Sequence, residues 1–103
     1  MARYELNANG YRGWLELELG EDTCSGQLQY QVDPSGKAMG RPVDPLSDGT
    51  VSRSAAGNLK IIAIEFTRVS QRYHGWLSVD ESMMGGYLVQ DGVKVGWYAV
   101  KSS

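Results

Sequence analysis

The chain has 103 residues, 42% of them hydrophobic, which suits one domain with a single core burying roughly 65% of its unfolded surface. Ten Lys and Arg stand against twelve Asp and Glu, and this net charge of -2 lacks the concentrated positive field that draws phosphate backbones, so nucleic acid is not expected as a partner. The start, Met1-Ala2-Arg3-Tyr4-Glu5, has no apolar h-region, and no long apolar run follows anywhere, so neither a signal peptide nor a membrane span is expected, and a cytoplasmic location is.

The first predicted element, around Tyr4-Glu5-Leu6-Asn7, runs into the hairpin signal Asn9-Gly10. Tyr11 to Leu19 then alternates, with Gly13, Leu15, Leu17 and Leu19 on one parity and Arg12, Trp14, Glu16 and Glu18 on the other. That period of two predicts a strand with one buried face. Cys24, the only cysteine, follows in a turn-like stretch. It excludes an internal disulfide, and beside Glu21 and Asp22 it reads as an unreactive thiol in a reducing compartment. Gly26, Leu28, Tyr30 and Val32 alternate with Gln27, Gln29, Gln31 and Asp33, the clearest predicted strand in the chain. Asp33-Pro34-Ser35-Gly36 ends it as a turn.

Residues 41–58 hold Pro42, Pro45, Asp48-Gly49 and a Ser/Ala-rich run, a composition of turn formers too long for a plain hairpin loop. Two readings stand for this linker: a lid over one mouth of a barrel, or a mobile connection between two fused units. Leu59 to Val69 is rich in β-branched and aromatic residues but has no clearly wet face. Tyr73 to Asp80 and a strand around Gly86-Tyr87-Leu88 follow. After the turn Asp91-Gly92, Val93, Val95, Trp97 and Ala99 alternate as the last strand.

These segments suggest an internal repeat. Tyr11-Arg12-Gly13-Trp14-Leu15 is echoed by Tyr73-His74-Gly75-Trp76-Leu77, and Gly26-Gln27-Leu28 by Gly86-Tyr87-Leu88. Weaker echoes join Tyr4–Asn7 to Ile64–Thr67 and Gly36–Gly40 to Gly92–Gly96. The expectation is a single all-β domain over 1–103, an antiparallel meander of about eight strands in a closed or flattened barrel or roll, built from two four-strand halves at about 3–40 and 59–101. Eight strands enclose an interior that side chains fill or that holds one small ligand. In architecture alone this resembles the small up-and-down barrels of the lipocalin and avidin kind; no motif of those families falls on the chain.

Catalytic groups are few. His74 falls on the outward parity, no His pair has metal spacing, and no phosphate loop or nucleophile elbow is present. Glu16, Glu18 and Asp80 are dispersed on the wet side, where carboxylates make poor acids or bases at neutral pH. No enzyme activity, metal or cofactor is expected. Gly13, Gly26, Gly75 and Gly86 occupy inward positions, read as places where the sheet bends or a facing aromatic closes in. The inward polar and aromatic residues Tyr30, Tyr73, Gln90 and Trp97 are the candidate lining of a cavity for a small apolar or aromatic ligand. The outward Trp14, Trp76, Tyr87 and Ile61 are the candidate interface of a homo-oligomer or interaction module, the second functional reading. Each outward Trp has an alternative place, flat beneath a long neighbouring side chain.

Overall fold

Alternation carries through the computed structural model, which describes residues 1–102, and each apolar parity forms an inner face. The regular elements are nine β-strands: β1 (Ala2–Ala8), β2 (Tyr11–Leu19), β3 (Cys24–Val32), β4 (Asp44–Pro45), β5 (Ser47–Ala56), β6 (Leu59–Arg68), β7 (Gln71–Leu77), β8 (Met83–Gln90) and β9 (Val93–Lys101). They form one antiparallel sheet in the order β4-β3-β2-β1-β9-β8-β7-β6-β5, curled into a half-barrel. No helix of the described residues is long and apolar enough to cross a membrane.

The inner face is continuous. Tyr4, Leu6 and Ala8 of β1 meet Leu15 and Leu17 of β2, Leu28 and Tyr30 of β3, Ile64 and Phe66 of β6, Tyr73 and Leu77 of β7, and Trp97 and Ala99 of β9. Leu59 to Val69, without a clear wet side in the sequence, also alternates: Ile64, Phe66 and Arg68 are buried, whereas Ala63, Glu65 and Thr67 point the other way and are half-buried. The tight turns sit where the sequence puts them. Asn9 and Gly10 have φ of 52° and 90°, and Asp91 and Gly92 have 51° and 77°, the left-handed pairs that hairpins with right-handed twist require.

The stretch 41–58 departs from both readings of it as a loop. It supplies β4 and β5, so the count is nine strands rather than eight, and it brings the two edges of the curled sheet together. β4 pairs with β3 through Gln27–Pro45 and Leu28–Asp44, Leu46 N donates to Gly26 O, Val51 N donates to Asp22 O, and Thr23 bridges Thr50. On its other side β5 pairs with β6. The seam is close: a Cβ on Gly49 would lie 2.1 Å from Cys24 O and 2.8 Å from its Sγ. Only glycine lets these backbones approach so nearly.

The pairing registers do not reproduce the two-half repeat. Gly13 faces Tyr30 and Gly26 faces Leu17, whereas the matched Gly75 and Gly86 face each other. Gly36–Gly40, expected to mirror the strand after Gly92, makes one isolated bridge, Val32 to Ala38. Asp33 explains the break, because its Oδ1 accepts from the backbone N of Ser35 and Lys37 and from Ser35 Oγ, side-chain bonds that favour a turn over continued pairing.

Candidate functional site

One end of the half-barrel holds a cavity of about 420 Å³. It lies where the β1–β2, β6–β7 and β8–β9 turns gather. Leu88 of β8 and Val93 and Val95 of β9 give it an apolar wall; Met39 and Arg41 reach it from the segment after β3; Tyr30, Arg68, Gln71 and Gln90 provide polar groups. Met39 N donating to Gln31 O and Gln29 Nε2 donating to Arg41 O fix that segment along β3. Of the residues 41–58 suspected as a lid, only Arg41 stands in the lining.

Of the four residues expected to line a cavity, Tyr30 and Gln90 do so. Tyr73 and Trp97 belong to the core beneath it. Tyr73 stacks on Phe66 at 4.9 Å between ring centroids, and Trp97 meets both edge-on at 6.0 and 5.7 Å. The indole N–H of Trp97 is shared between the carbonyls of His74 and Tyr87, so it has no free polar group to offer. Tyr73 is linked to the cavity indirectly, through a 2.6 Å hydroxyl contact with Tyr30.

Arg68 organises the polar wall. It is the buried charged residue of the core side, 7% exposed, and its Nε and Nη2 both donate to Asp44 Oδ2 at 2.8 Å. Its Nη1 donates to Gln71 Oε1 at 3.0 Å, and its guanidinium lies 5.1 Å from the Tyr30 ring centroid. Gln71 Oε1 also accepts from Tyr73 Oη, and Gln71 Nε2 donates to Gln90 Oε1. Among the described residues no buried side-chain N or O lacks a partner. Burial, with Tyr30 as the next cause, holds the Tyr73 hydroxyl far above the ordinary tyrosine range. Burial likewise raises Tyr30, opposed by its bond to Tyr73 and by the charge of Arg68. Both hydroxyls are therefore neutral donors and acceptors across the physiological range.

Sequence reasoning missed Arg68, Gln71, Met39 and Arg41. For Arg68 a signal existed, since it continues the even parity of Ile64 and Phe66. For Met39 and Arg41 none did, because their segment has no period.

The outer face divides the four candidate interface residues. Trp14 is half-buried, its Nε1 donating to Gln29 Oε1 and its ring covered by the Arg3 guanidinium at 4.2 Å, the arrangement named above as its alternative. Tyr87 stacks on His74 at 4.7 Å and lies under Lys94, while Ile61 is half-buried. Trp76 remains open, 55% exposed, beside Tyr98 at 55%, Met83 at 54% and Val100 at 42%. The register joins these: Trp76 faces Gly85, which faces Tyr98, and Met83 faces Val100. Tyr98 and Val100 escaped the sequence reading because a single outward aromatic per strand gives no pattern.

The remaining chemistry is on the outside or sealed. His74 Nδ1 lies 3.1 Å from Glu65 Oε1 on the outer face. Cys24 is buried, and burial rather than the neighbouring carboxylates pushes its thiol up, with Arg72 opposing. No group of three or more His, Cys, Asp and Glu among the described residues could hold a metal. Comparison of the chain with family models, curated proteins and solved structures gave no match.

Proposed function

We propose that this chain is a non-enzymatic binding protein that holds a small apolar or aromatic ligand in the mouth of the half-barrel. The observation that carries the reading is the cavity of about 420 Å³ walled by Leu88, Val93, Val95 and Met39 with Tyr30, Arg68, Gln71 and Gln90 converging on it. Ligand sites of about 300–1,000 Å³ share this composition, apolar walls with a few oriented polar groups. The single buried thiol fits a reducing, cytoplasmic setting.

The test is fluorescence titration with N-phenyl-1-naphthylamine, a neutral probe that brightens on leaving water. Saturable enhancement is expected for the native chain, and for Trp76→Glu on the outer face, but not for Val95→Trp, which fills the cavity. No enhancement, or enhancement unchanged in Val95→Trp, overturns the reading.

A second reading makes the chain a homo-oligomeric interaction module. It rests on the contiguous exposure of Trp76, Tyr98, Met83 and Val100 across β7, β8 and β9, since aromatic and Met residues are enriched at interfaces. Sedimentation velocity checks it: a self-associating native chain that Trp76→Glu converts to monomer supports the module, and a native monomer at high protein concentration removes it.

A further inference from the structure

The polar wall of the cavity has a fixed hydrogen-bond polarity. A guanidinium donates and never accepts, so the Gln71 atom that receives Arg68 Nη1 is its carbonyl oxygen. That same oxygen receives the Tyr73 hydroxyl at 2.8 Å, which commits the one hydroxyl proton of Tyr73. In the 2.6 Å contact between Tyr30 and Tyr73 the donor is therefore Tyr30, whose oxygen keeps only lone pairs for anything else. With its oxygen engaged, Gln71 turns its amide nitrogen to Gln90 Oε1 at 2.8 Å. Gln90, exposed at the rim, is left presenting its own amide N–H groups. One donor-only residue thus sets the sense of every bond from Asp44 to the rim.

The charge balance points the same way. Three of the five Arg68 N–H donors are engaged, two of them by Asp44, so the cation an anionic ligand would meet is already balanced by a carboxylate held at 2.8 Å. Arg41 and Asp91 both line the cavity, so with Arg68 paired to Asp44 its formal charges cancel. An uncharged group with an acceptor for the Gln90 N–H and a donor for the Tyr30 oxygen matches what remains.

We infer that the cavity selects neutral ligands carrying a carboxamide or lactam edge, the carbonyl taking the Gln90 amide donor and the ligand N–H giving to the Tyr30 oxygen, with an apolar or aromatic body against Leu88 and Val95. This rests on the cavity-binding reading above and adds the ligand's polar end to it.

Four probes of one shape separate the two: 2-naphthamide, 2-naphthoate, 2-naphthylmethylammonium and 2-methylnaphthalene, each titrated into the full chain by amide NMR. The expected result is that 2-naphthamide shifts the Leu88 and Val95 resonances and binds about three- to tenfold more tightly than the other three, the range one hydrogen bond supplies. Gln90→Leu, at an exposed position, is expected to erase that preference, so that 2-naphthamide no longer binds more tightly than 2-methylnaphthalene. Equal binding of all four, a preference for the carboxylate or the ammonium, or a preference that survives in Gln90→Leu overturns the inference and leaves the cavity reading standing. If none of the four moves those resonances, both fall.

Discussion

Gly75 shows how one missing side chain positions an aromatic. A Cβ there would lie 2.6 Å from Trp97 Cζ2 and 2.9 Å from Gly85 O, so the indole, reaching past Gly86 of the intervening β8, occupies the place of a Gly75 side chain. Gly75→Ala is expected to cost about 1–3 kcal/mol, the range for overfilling a packed core, and to change the near-ultraviolet circular dichroism as Trp97 moves; urea denaturation measures the first. The tyrosine pair makes a second residue-level prediction. Tyr30 and Tyr73 are both raised by burial, so the stability they contribute is complete below the ordinary tyrosine range and is lost as pH rises through and beyond it. Thermal melts are expected to fall steeply above about pH 10, with part of the phenolate absorbance appearing only on unfolding. An alkaline titration in which every tyrosine ionises while the fold persists contradicts this. The inward glycines were legible from parity alone, because a glycine on an apolar face asks for a close neighbour. That the neighbour of Gly75 is Trp97, two strands away in the sheet, needs the register and was not legible.

Between elements, the contact of most consequence is Arg68 with Asp44, since it fastens the two-residue β4 to the end of β6 across the interior. Removing one member of such a buried pair strands the other charge. Arg68→Met is expected to destabilise by about 3–5 kcal/mol, and the double variant Arg68→Met with Asp44→Leu by clearly less. Chemical denaturation of the three chains decides it; equal losses in the single and double variants would show that the packing, and not the ion pair, holds β4. In sequence this stretch reads as a linker for physical reasons. Ser47–Ala56 is short of β-branched and aromatic residues, and Val51 alone is buried along it. Its strand character comes from β6, whose Leu59–Thr67 side needs a partner for its backbone groups. Propensity scores the residues of a strand; it does not see the unpaired edge the strand satisfies. By contrast β2 and β3, with one apolar and one polar parity, were readable directly, and Tyr30 was found as a cavity residue for that reason. Trp97 and Tyr73 share the same parity signal but lie deeper along the axis, and parity carries no depth.

For the molecule as a whole, the described residues span 44 × 32 × 21 Å, and the β5–β6 hairpin contributes an arm that the barrel does not cover. Ser52 to Lys60 are all exposed, and β7 joins β6 only from Ile62 onward. Arg53, donating to the carbonyls of Gly20 and Glu21, ties the base of the arm to the turn before β3. A two-stranded ribbon without a third strand is marginal in water, so amide exchange at Ala55, Ala56 and Leu59 is expected to be fast while that of Leu28, Tyr73 and Trp97 follows global unfolding. Protection of the free arm equal to that of the core would mean that another surface covers it.

β1 sits between β2 and β9, and Ser102 N donates to Arg3 O at 2.9 Å. The consequence is topological: the order of the strands in space does not depend on where the covalent chain is cut. A circular permutant, with a short glycine linker joining residue 102 to residue 1 and new ends between Gly57 and Asn58, should reach the same sheet, because the new break falls in an exposed turn where Gly57 has φ of 60°. It would also fold by a different route. In the native order, pairing of β1 with β9 waits on residues far apart in sequence, whereas the permutant makes that pairing local and leaves β5 to find β6 late. Faster refolding with an unchanged spectrum would identify the β1–β9 pairing as the slow event; unchanged kinetics would assign it to the seam between β3 and β5.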